Sequence, residues 1–236
     1  MFKSIALVVA LLASASVFAT PDTVSIRYLS RDAVDPVLST SGGTNNYITG
    51  GLNYTDAATG SFIAYCIEPG QPFALSLDSH NNPNYKTYEV GSFTGTQATL
   101  LQGLYSSSFA SVYATTDNGI KQAAFQLAVW EIVTENSSTL NVTQSNGNFF
   151  LKTSNLSGGA LTTALEVQTL ANNFLSAAQS YHGVDQYSLV KLHNNAKQDL
   201  VVATFIPSAV PEPESYALFL AGLGAIGLIA RRRLPR

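Results

Sequence analysis

The sequence predicts an α+β domain in which a β-sandwich or barrel-like sheet contains an inserted helical middle. Three observations lead to this prediction. Strand-like segments come first along the chain, helical segments occupy the middle, and strand-like segments return before the C-terminus. That order is typical of a sheet that the C-terminal segment completes. An apolar segment precedes the domain and another follows it.

The N-terminus has the three zones of a secretory signal peptide. Lys3 provides the positive charge, and residues 5–13 (IALVVALLA) form an apolar run that is short for a bilayer span. Residues 17–19 (VFA) fit the site that a signal peptidase reads, which predicts cleavage after Ala19. The alternative is a buried N-terminal helix, which Pro21 opposes because proline interrupts a helix. We therefore expect a signal peptide at residues 1–19 and a folded domain at residues 20–208.

Five segments of that domain are predicted strands: residues 24–29, 47–54, 61–67, 187–192 and 200–205. The third (SFIAYCI) is apolar on both of its faces, which is typical of a strand covered on both sides. Glu68-Pro69-Gly70 follows it and predicts a turn.

Three segments are predicted helices: residues 96–105, 120–135 and about 162–181. Asp117 or Asn118 can cap the second. Apolar side chains occupy nearly its whole circumference at 100° per residue. We therefore expect this helix to lie inside the core.

Composition narrows the class of protein. Charged residues make up only 11% of the chain, and acidic residues outnumber basic ones by 15 to 12. A surface with so little positive charge argues against a nucleic-acid partner. Low charge with many Tyr and Phe residues favours an extracellular, β-rich protein over a cytosolic enzyme.

The C-terminal tail has three parts in a fixed order. Pro211-Glu212-Pro213 comes first, the apolar run at residues 216–230 follows, and Arg231, Arg232 and Arg233 close the tail. The run falls short of the roughly 20 residues of a usual transmembrane helix. Its basic end should stay cytoplasmic.

This order closely resembles the PEP-CTERM sorting signal of Gram-negative bacteria. The resemblance implies a sorting helix at residues 209–236, transient anchoring in the inner membrane and processing by an exosortase. It also implies a place on the outer surface or in an exopolysaccharide or biofilm matrix. A permanent transmembrane anchor is the alternative, and it differs only in whether the tail is later cut.

Cys66 is the one cysteine of the chain. An exported protein with one cysteine cannot form an internal disulfide, so the thiol requires another explanation. The simplest is a small buried apolar side chain.

Two short motifs offer a chemical explanation. Tyr65-Cys66-Ile67 lies on the strand that is apolar on both faces, and residues 125–130 (FQLAVW) on the core helix place Gln126 four positions before Trp130. Together they resemble the Cys and Gln motifs of the thioester domains at the tips of bacterial surface adhesins. The resemblance implies that the Cys66 sulfur replaces the amide nitrogen of Gln126 to form an internal thioester. Such a bond would attach the protein covalently to an amine or hydroxyl of a surface or exopolysaccharide partner.

Physical reasoning from these residues agrees with the resemblance. A buried amide without partners costs roughly 1–3 kcal/mol, so a buried Gln126 needs hydrogen bonds or a covalent use. Trp130, one turn further, can shield a thioester from water. Glu68 shares a strand face with Cys66 and could act as a general base or hold the released ammonia. The alternative is that Gln126 simply hydrogen-bonds a strand edge and Trp130 fills the core.

Other chemistry is not expected. His80, His182 and His193 lack the spacing of metal ligands, and no phosphate-binding loop is present, so we expect no metal and no cofactor. A cysteine hydrolase would need Cys66 beside one of these histidines. We therefore expect a protein that is not an enzyme. The competing interpretation is a structural matrix protein with an inert, reduced thiol.

Overall fold

The computed structural model of the protein describes residues 23–31, 37–41, 46–56, 60–113, 119–135, 139–143 and 147–207. The predicted signal peptide and the predicted sorting tail lie outside these residues. Within them, no helix has the combination of length and apolar character that crossing a membrane requires.

Eight strands are present in the described residues. They are β1 (Thr23–Arg31), β2 (Val37–Ser39), β3 (Asn46–Ile48), β4 (Leu52–Asp56), β5 (Gly60–Cys66), β6 (Lys86–Gly91), β7 (Tyr187–His193) and β8 (Leu200–Phe205). Six of them close into an antiparallel barrel in the order β1-β4-β5-β8-β7-β6, and β2 and β3 form a separate two-stranded sheet. The predicted class, α+β with a barrel-like sheet, is therefore confirmed.

The helical middle separates β6 from β7 in sequence. It consists of α1 (Gly95–Leu104), a π-helical turn (Tyr105–Phe109), α2 (Ala110–Val112), α3 (Gly119–Thr134) and α4 (Gly158–Ser180). The three longer helices agree with the predicted ones to within a few residues at each end. Gly103 on α1 lies so close to α4 that an added Cβ would stand 2.4 Å from the Ala178 carbonyl oxygen. The two helices therefore pack backbone to backbone at that position.

Two apolar cores result from this arrangement. The smaller one fills the barrel with inward-facing side chains: Ile26, Leu52, Tyr54, Ala64, Tyr88, Leu192 and Leu200. The larger one lies between the outer face of the barrel and the helices, with α3 at its centre. Twelve of the sixteen residues of α3 are buried, as its all-round apolar pattern predicted.

Two differences from the sequence prediction have physical causes. The strand predicted at residues 47–54 is divided into β3 and β4, because Gly50 has a φ of 134° and turns the chain between them. Strand β6 was missed, although Tyr88 is buried between the exposed residues Thr87 and Glu89. That alternation is the signal that could have identified it.

Candidate functional site

Cys66 is the last residue of β5 and is 3% exposed. It pairs with Leu200 of β8. Because the Ile67 N–H donates to the Asp199 carbonyl at 2.9 Å, this pair is a non-hydrogen-bonded pair of the antiparallel ladder. The backbone N–H and C=O of Cys66 therefore point away from β8, towards the side on which β4 lies.

Strand β4 does not reach that position. Its first residue, Leu52, pairs with Ala64, two residues before Cys66. The side chain of Gln126 takes the place of the missing strand residue. Its Oε1 accepts a hydrogen bond from the Cys66 N–H at 3.1 Å, and its Nε2 donates to the Cys66 carbonyl at 2.7 Å. The structure thus brings the two residues predicted for the thioester into direct contact, through the backbone of Cys66.

Helix α3 can present Gln126 in this way because its neighbouring residues are anchored to the same sheet. The ring of Phe125 packs against Tyr65 with centroids 4.9 Å apart. One turn earlier, the Oε1 of Gln122 accepts a hydrogen bond from the Gly51 N–H at 2.9 Å, just before β4 begins. Gln122 and Gln126 are 0% and 1% exposed, so both carboxamides lie in the interior.

The thiol of Cys66 lies where the two cores meet. Burial raises the pKa of the Cys66 thiol to about 12, and hydrogen bonds from the Glu68 backbone and the Trp130 side chain lower it only in part. The thiol is therefore neutral at physiological pH. Trp130 is 1% exposed and packs edge-on against Phe149, with ring centroids 5.9 Å apart. It lies against the sulfur as part of the core.

The two carboxylates that follow the motifs have different surroundings. Glu68 is half-buried, and its Oε1 accepts a hydrogen bond from Gln71 Nε2 at 3.3 Å. Glu131 is fully buried on α3, and its Oε1 accepts a hydrogen bond from the Asn141 N–H at 2.7 Å. Its Oε2 has no hydrogen-bond partner among the described residues. Burial raises the pKa of Glu131 to about 7, against the lowering effect of the Asn141 N–H.

A cavity of about 220 Å³ opens beside the residues that follow Cys66. It is lined by Ile67, Glu68, Gln97, Val133, Lys191 and Asp199. Lys191 Nζ lies 3.2 Å from Asp199 Oδ2, and the Nδ1 of His193 lies 2.8 Å from Asp199 Oδ1. Asp199 holds the pKa of His193 above its ordinary value through this hydrogen bond and through its charge. The cavity therefore carries charged side chains of both signs.

Two contributors to the site were not identified from the sequence. These are Gln122, one helical turn before Gln126, and Tyr113. The Tyr113 hydroxyl donates to Gln122 Oε1 at 3.4 Å and lies 2.8 Å from the Tyr65 hydroxyl. The repetition of Gln one helical turn before Gln126 was the available signal.

Comparison with known proteins identifies the C-terminal tail. Residues 209–233 match the family described as the PEP-CTERM protein-sorting motif. This match confirms the prediction made from the Pro-Glu-Pro segment, the apolar run and the arginines. It implies an exported, cell-surface-directed protein that an exosortase recognises. None of the curated proteins matches the sequence.

Two solved structures are similar to this chain. One is the N-terminal domain of the Streptococcus pyogenes pilus tip adhesin Cpa, with 14% sequence identity and a TM-score of 0.47 over 80% of this chain and 97% of that one. The other is the N-terminal thioester domain of the fibronectin-binding protein SfbI from Streptococcus pyogenes, with 15% identity and a TM-score of 0.47 over 80% of this chain and 98% of that one.

Proposed function

We propose that Cys66 and Gln126 form an internal thioester through which this exported protein attaches covalently to a partner at the cell surface. The observation that supports the proposal is the contact between the two residues. Both ends of the Gln126 carboxamide bind the backbone of Cys66, at 3.1 and 2.7 Å, so its carbon is held beside the residue that carries the sulfur.

Formation of the bond is a transfer of the Gln126 acyl group from nitrogen to sulfur. The Cys66 sulfur attacks the Gln126 Cδ, the Cδ–Nε2 bond breaks, and the nitrogen leaves as ammonia with the thiol proton. The Cys66 N–H already donates to Oε1, the atom on which negative charge develops during the attack. Because the buried thiol has a pKa of about 12, it needs a proton acceptor as it attacks. We propose that the Glu68 carboxylate takes this proton and passes it to the departing Gln126 nitrogen, which then leaves as ammonia.

The surroundings of the bond would protect it from hydrolysis. Cys66, Gln126 and Trp130 are each at most 3% exposed, and exclusion of water preserves reactive acyl intermediates. In this proposal Trp130, which is 1% exposed, shields the sulfur side of the bond from water.

The acceptor would approach through the cavity that Glu68 and Val133 line. An amine or hydroxyl of the partner attacks the thioester carbonyl, forms an amide or ester with Gln126, and leaves Cys66 as a free thiol. Each molecule reacts once, so the protein is an attachment module and not an enzyme. A hydrolase would need an accessible thiolate, which a buried thiol with a pKa of about 12 does not provide.

We propose the outer surface or extracellular matrix of a Gram-negative bacterium as the place of attachment. The sorting motif at residues 209–233 supports export and delivery to an exosortase. The tail would hold the protein in the inner membrane until it is sorted. An exopolysaccharide hydroxyl or a surface amine would then be the acceptor.

One observation favours a second candidate, a structural matrix protein with an inert thiol. The two hydrogen bonds to Cys66 satisfy the Gln126 carboxamide without any covalent bond. A strand-edge cap of this kind requires an intact amide.

Intact mass before and after methylamine treatment separates these functions. The thioester protein weighs one ammonia less than its mature sequence, resists alkylation while folded, and gains one methylamine on Gln126 with release of the thiol. Cys66→Ala and Gln126→Ala each abolish the mass deficit. The inert matrix protein has full mass and a thiol that alkylates only on denaturation, and this result would end the thioester proposal. A hydrolase has full mass and alkylates fast.

A further inference from the structure

A chain of hydrogen bonds connects the strand and the helix that carry the proposed thioester. The Gln122 Oε1 accepts from the Gly51 N–H at 2.9 Å and from the Tyr113 hydroxyl at 3.4 Å. Since the Tyr113 proton is directed to Gln122, the Tyr65 hydroxyl, 2.8 Å away, is the donor to Tyr113. The donors and acceptors therefore run in one direction, from Tyr65 through Tyr113 to Gln122.

The two ends of this chain adjoin the two reactive residues. Tyr65 directly precedes Cys66 on β5, and Gln122 lies one helical turn before Gln126 on α3. Together with the contact between Gln126 and Cys66, the hydrogen bonds complete a ring that fixes the helix to the strand at two points, Gln122 and Gln126. The fit is tight at Gly51, where an added Cβ would stand 2.4 Å from the Tyr113 hydroxyl.

We propose that Tyr113 and Gln122 are positioning residues that hold the Gln126 carboxamide against Cys66. Neither residue is part of the bond that would form. They act by fixing α3 along β5, because a shift of one residue moves a helix by about 1.5 Å along its axis. Misplacement of reacting groups by about 1 Å can slow a reaction a hundredfold. The chemical part of this inference rests on the proposed thioester, and the positional part does not.

The test compares two tyrosines of the same core in the mature protein. Tyr113→Phe removes both hydrogen bonds of the Tyr113 hydroxyl and keeps the ring. Tyr105→Phe is the matched control, because Tyr105 packs on Phe109 and Phe125, as Tyr65 does, and its hydroxyl lies outside the ring of hydrogen bonds. Two quantities are measured: the rate at which refolded protein loses ammonia, by intact mass, and the hydrogen-exchange rate of the residue 66 amide, by mass spectrometry or NMR. The exchange rate reports directly on the bond from that amide to Gln126.

Tyr113→Phe should slow ammonia loss and speed exchange at residue 66, each by roughly three- to tenfold, because the chain from Tyr65 to Gln122 is interrupted and its net contribution is about that of one hydrogen bond. Tyr105→Phe should change neither, even if both variants lower Tm equally.

The two proposals fail in different ways. If the wild-type protein never loses ammonia, the thioester is wrong, and exchange at residue 66 alone decides whether Tyr113 positions Gln126. If Tyr113→Phe and Tyr105→Phe behave alike in exchange, the positioning role is wrong, whatever the mass shows. Gln126→Ala gives the upper limit of the exchange effect, because it removes the acceptor altogether.

Discussion

The two halves of α3 bury polar side chains in different ways. In the first half, the neutral carboxamide of Gln126 uses both its acceptor and its donor on the backbone of Cys66. In the second half, the Glu131 carboxylate bonds Asn141 through one oxygen, and the other has no hydrogen-bond partner among the described residues. A neutral amide whose hydrogen bonds are satisfied can replace a strand residue without titrating, whereas a buried carboxylate makes stability depend on pH.

The largest effect is expected when the Gln126 carboxamide is removed. Gln126→Leu fills most of the same volume but leaves the Cys66 N–H and C=O without partners in the interior. We expect a loss of about 2–5 kcal/mol in the free energy of unfolding, measured by urea denaturation. Cys66→Ala is the control, since it keeps both backbone hydrogen bonds and equally prevents a thioester. If Gln126→Leu lowers the free energy of unfolding no more than Cys66→Ala does, the Gln126 carboxamide does not stabilise the fold through the Cys66 backbone.

Glu131→Gln tests the second half through pH. Because burial raises the folded-state pKa from 4.5 to about 7, the native state binds more protons than the unfolded state between these values. Stability therefore falls as pH rises through that window and stays lower above it. Glu131→Gln should remove this decline, so that its stability relative to the wild type improves by on the order of 2–3 kcal/mol from pH 4.5 to pH 8. If the difference in the free energy of unfolding between the two proteins is the same at every pH, Glu131 does not titrate in this way.

Gly51→Ala tests the contact through which Gln122 holds the first half of α3 to the chain before β4. The added Cβ would stand 2.4 Å from the Tyr113 hydroxyl, 2.9 Å from Gln122 Oε1 and 2.9 Å from Ile63 Cγ2, so these groups must move. We expect a loss of about 1–3 kcal/mol by thermal or urea unfolding. Gly70→Ala is the matched control, because nothing lies within 4 Å of the Cβ that it adds. Equal stability of the two variants would mean that the Gly51 contact yields easily.

The smallest effect is expected at the segment that Glu131 holds. Asn172 Oδ1 accepts from the Val142 N–H at 3.0 Å, and its Nδ2 donates to Thr143 Oγ1 at 3.2 Å. Asn172→Ala should cost about 1 kcal/mol, with the same loss at pH 5 and pH 8, because no charge is involved. The exposed neighbour Asn173, replaced by Ala, controls for the change in helix propensity. A pH-dependent loss would link this contact to Glu131.

Much of the fold could be predicted from the sequence because local patterns determine it. The all-round apolar sequence of α3 predicted a core helix, and the apolar faces of β5 predicted a strand covered on both sides. Closure of the sheet into a barrel was left open, because it depends on pairing between β1 and β6, which are distant in the chain. A local sequence pattern predicts that a segment is a strand, but it does not show which distant strand pairs with it.

The site was predictable as a pair of residues but not as a geometry. The motifs around Cys66 and Gln126 named both residues, while the backbone contact between them depends on where β4 ends. That end follows from the turn at Gly50, which the sequence prediction placed inside a strand. The hydrogen bond from Gly51 to Gln122 could not be predicted for the same reason, since Gly51 belongs to that turn.

The place that Gln126 takes beside β5 also affects how molecules of this protein meet one another. A free N–H and C=O at the end of a strand can pair with a strand from a second molecule, which begins edge-to-edge aggregation. A side chain already bound to both groups of Cys66 denies that position to any incoming strand. As long as its amide is intact, Gln126 thus also protects this exported protein against edge-to-edge association.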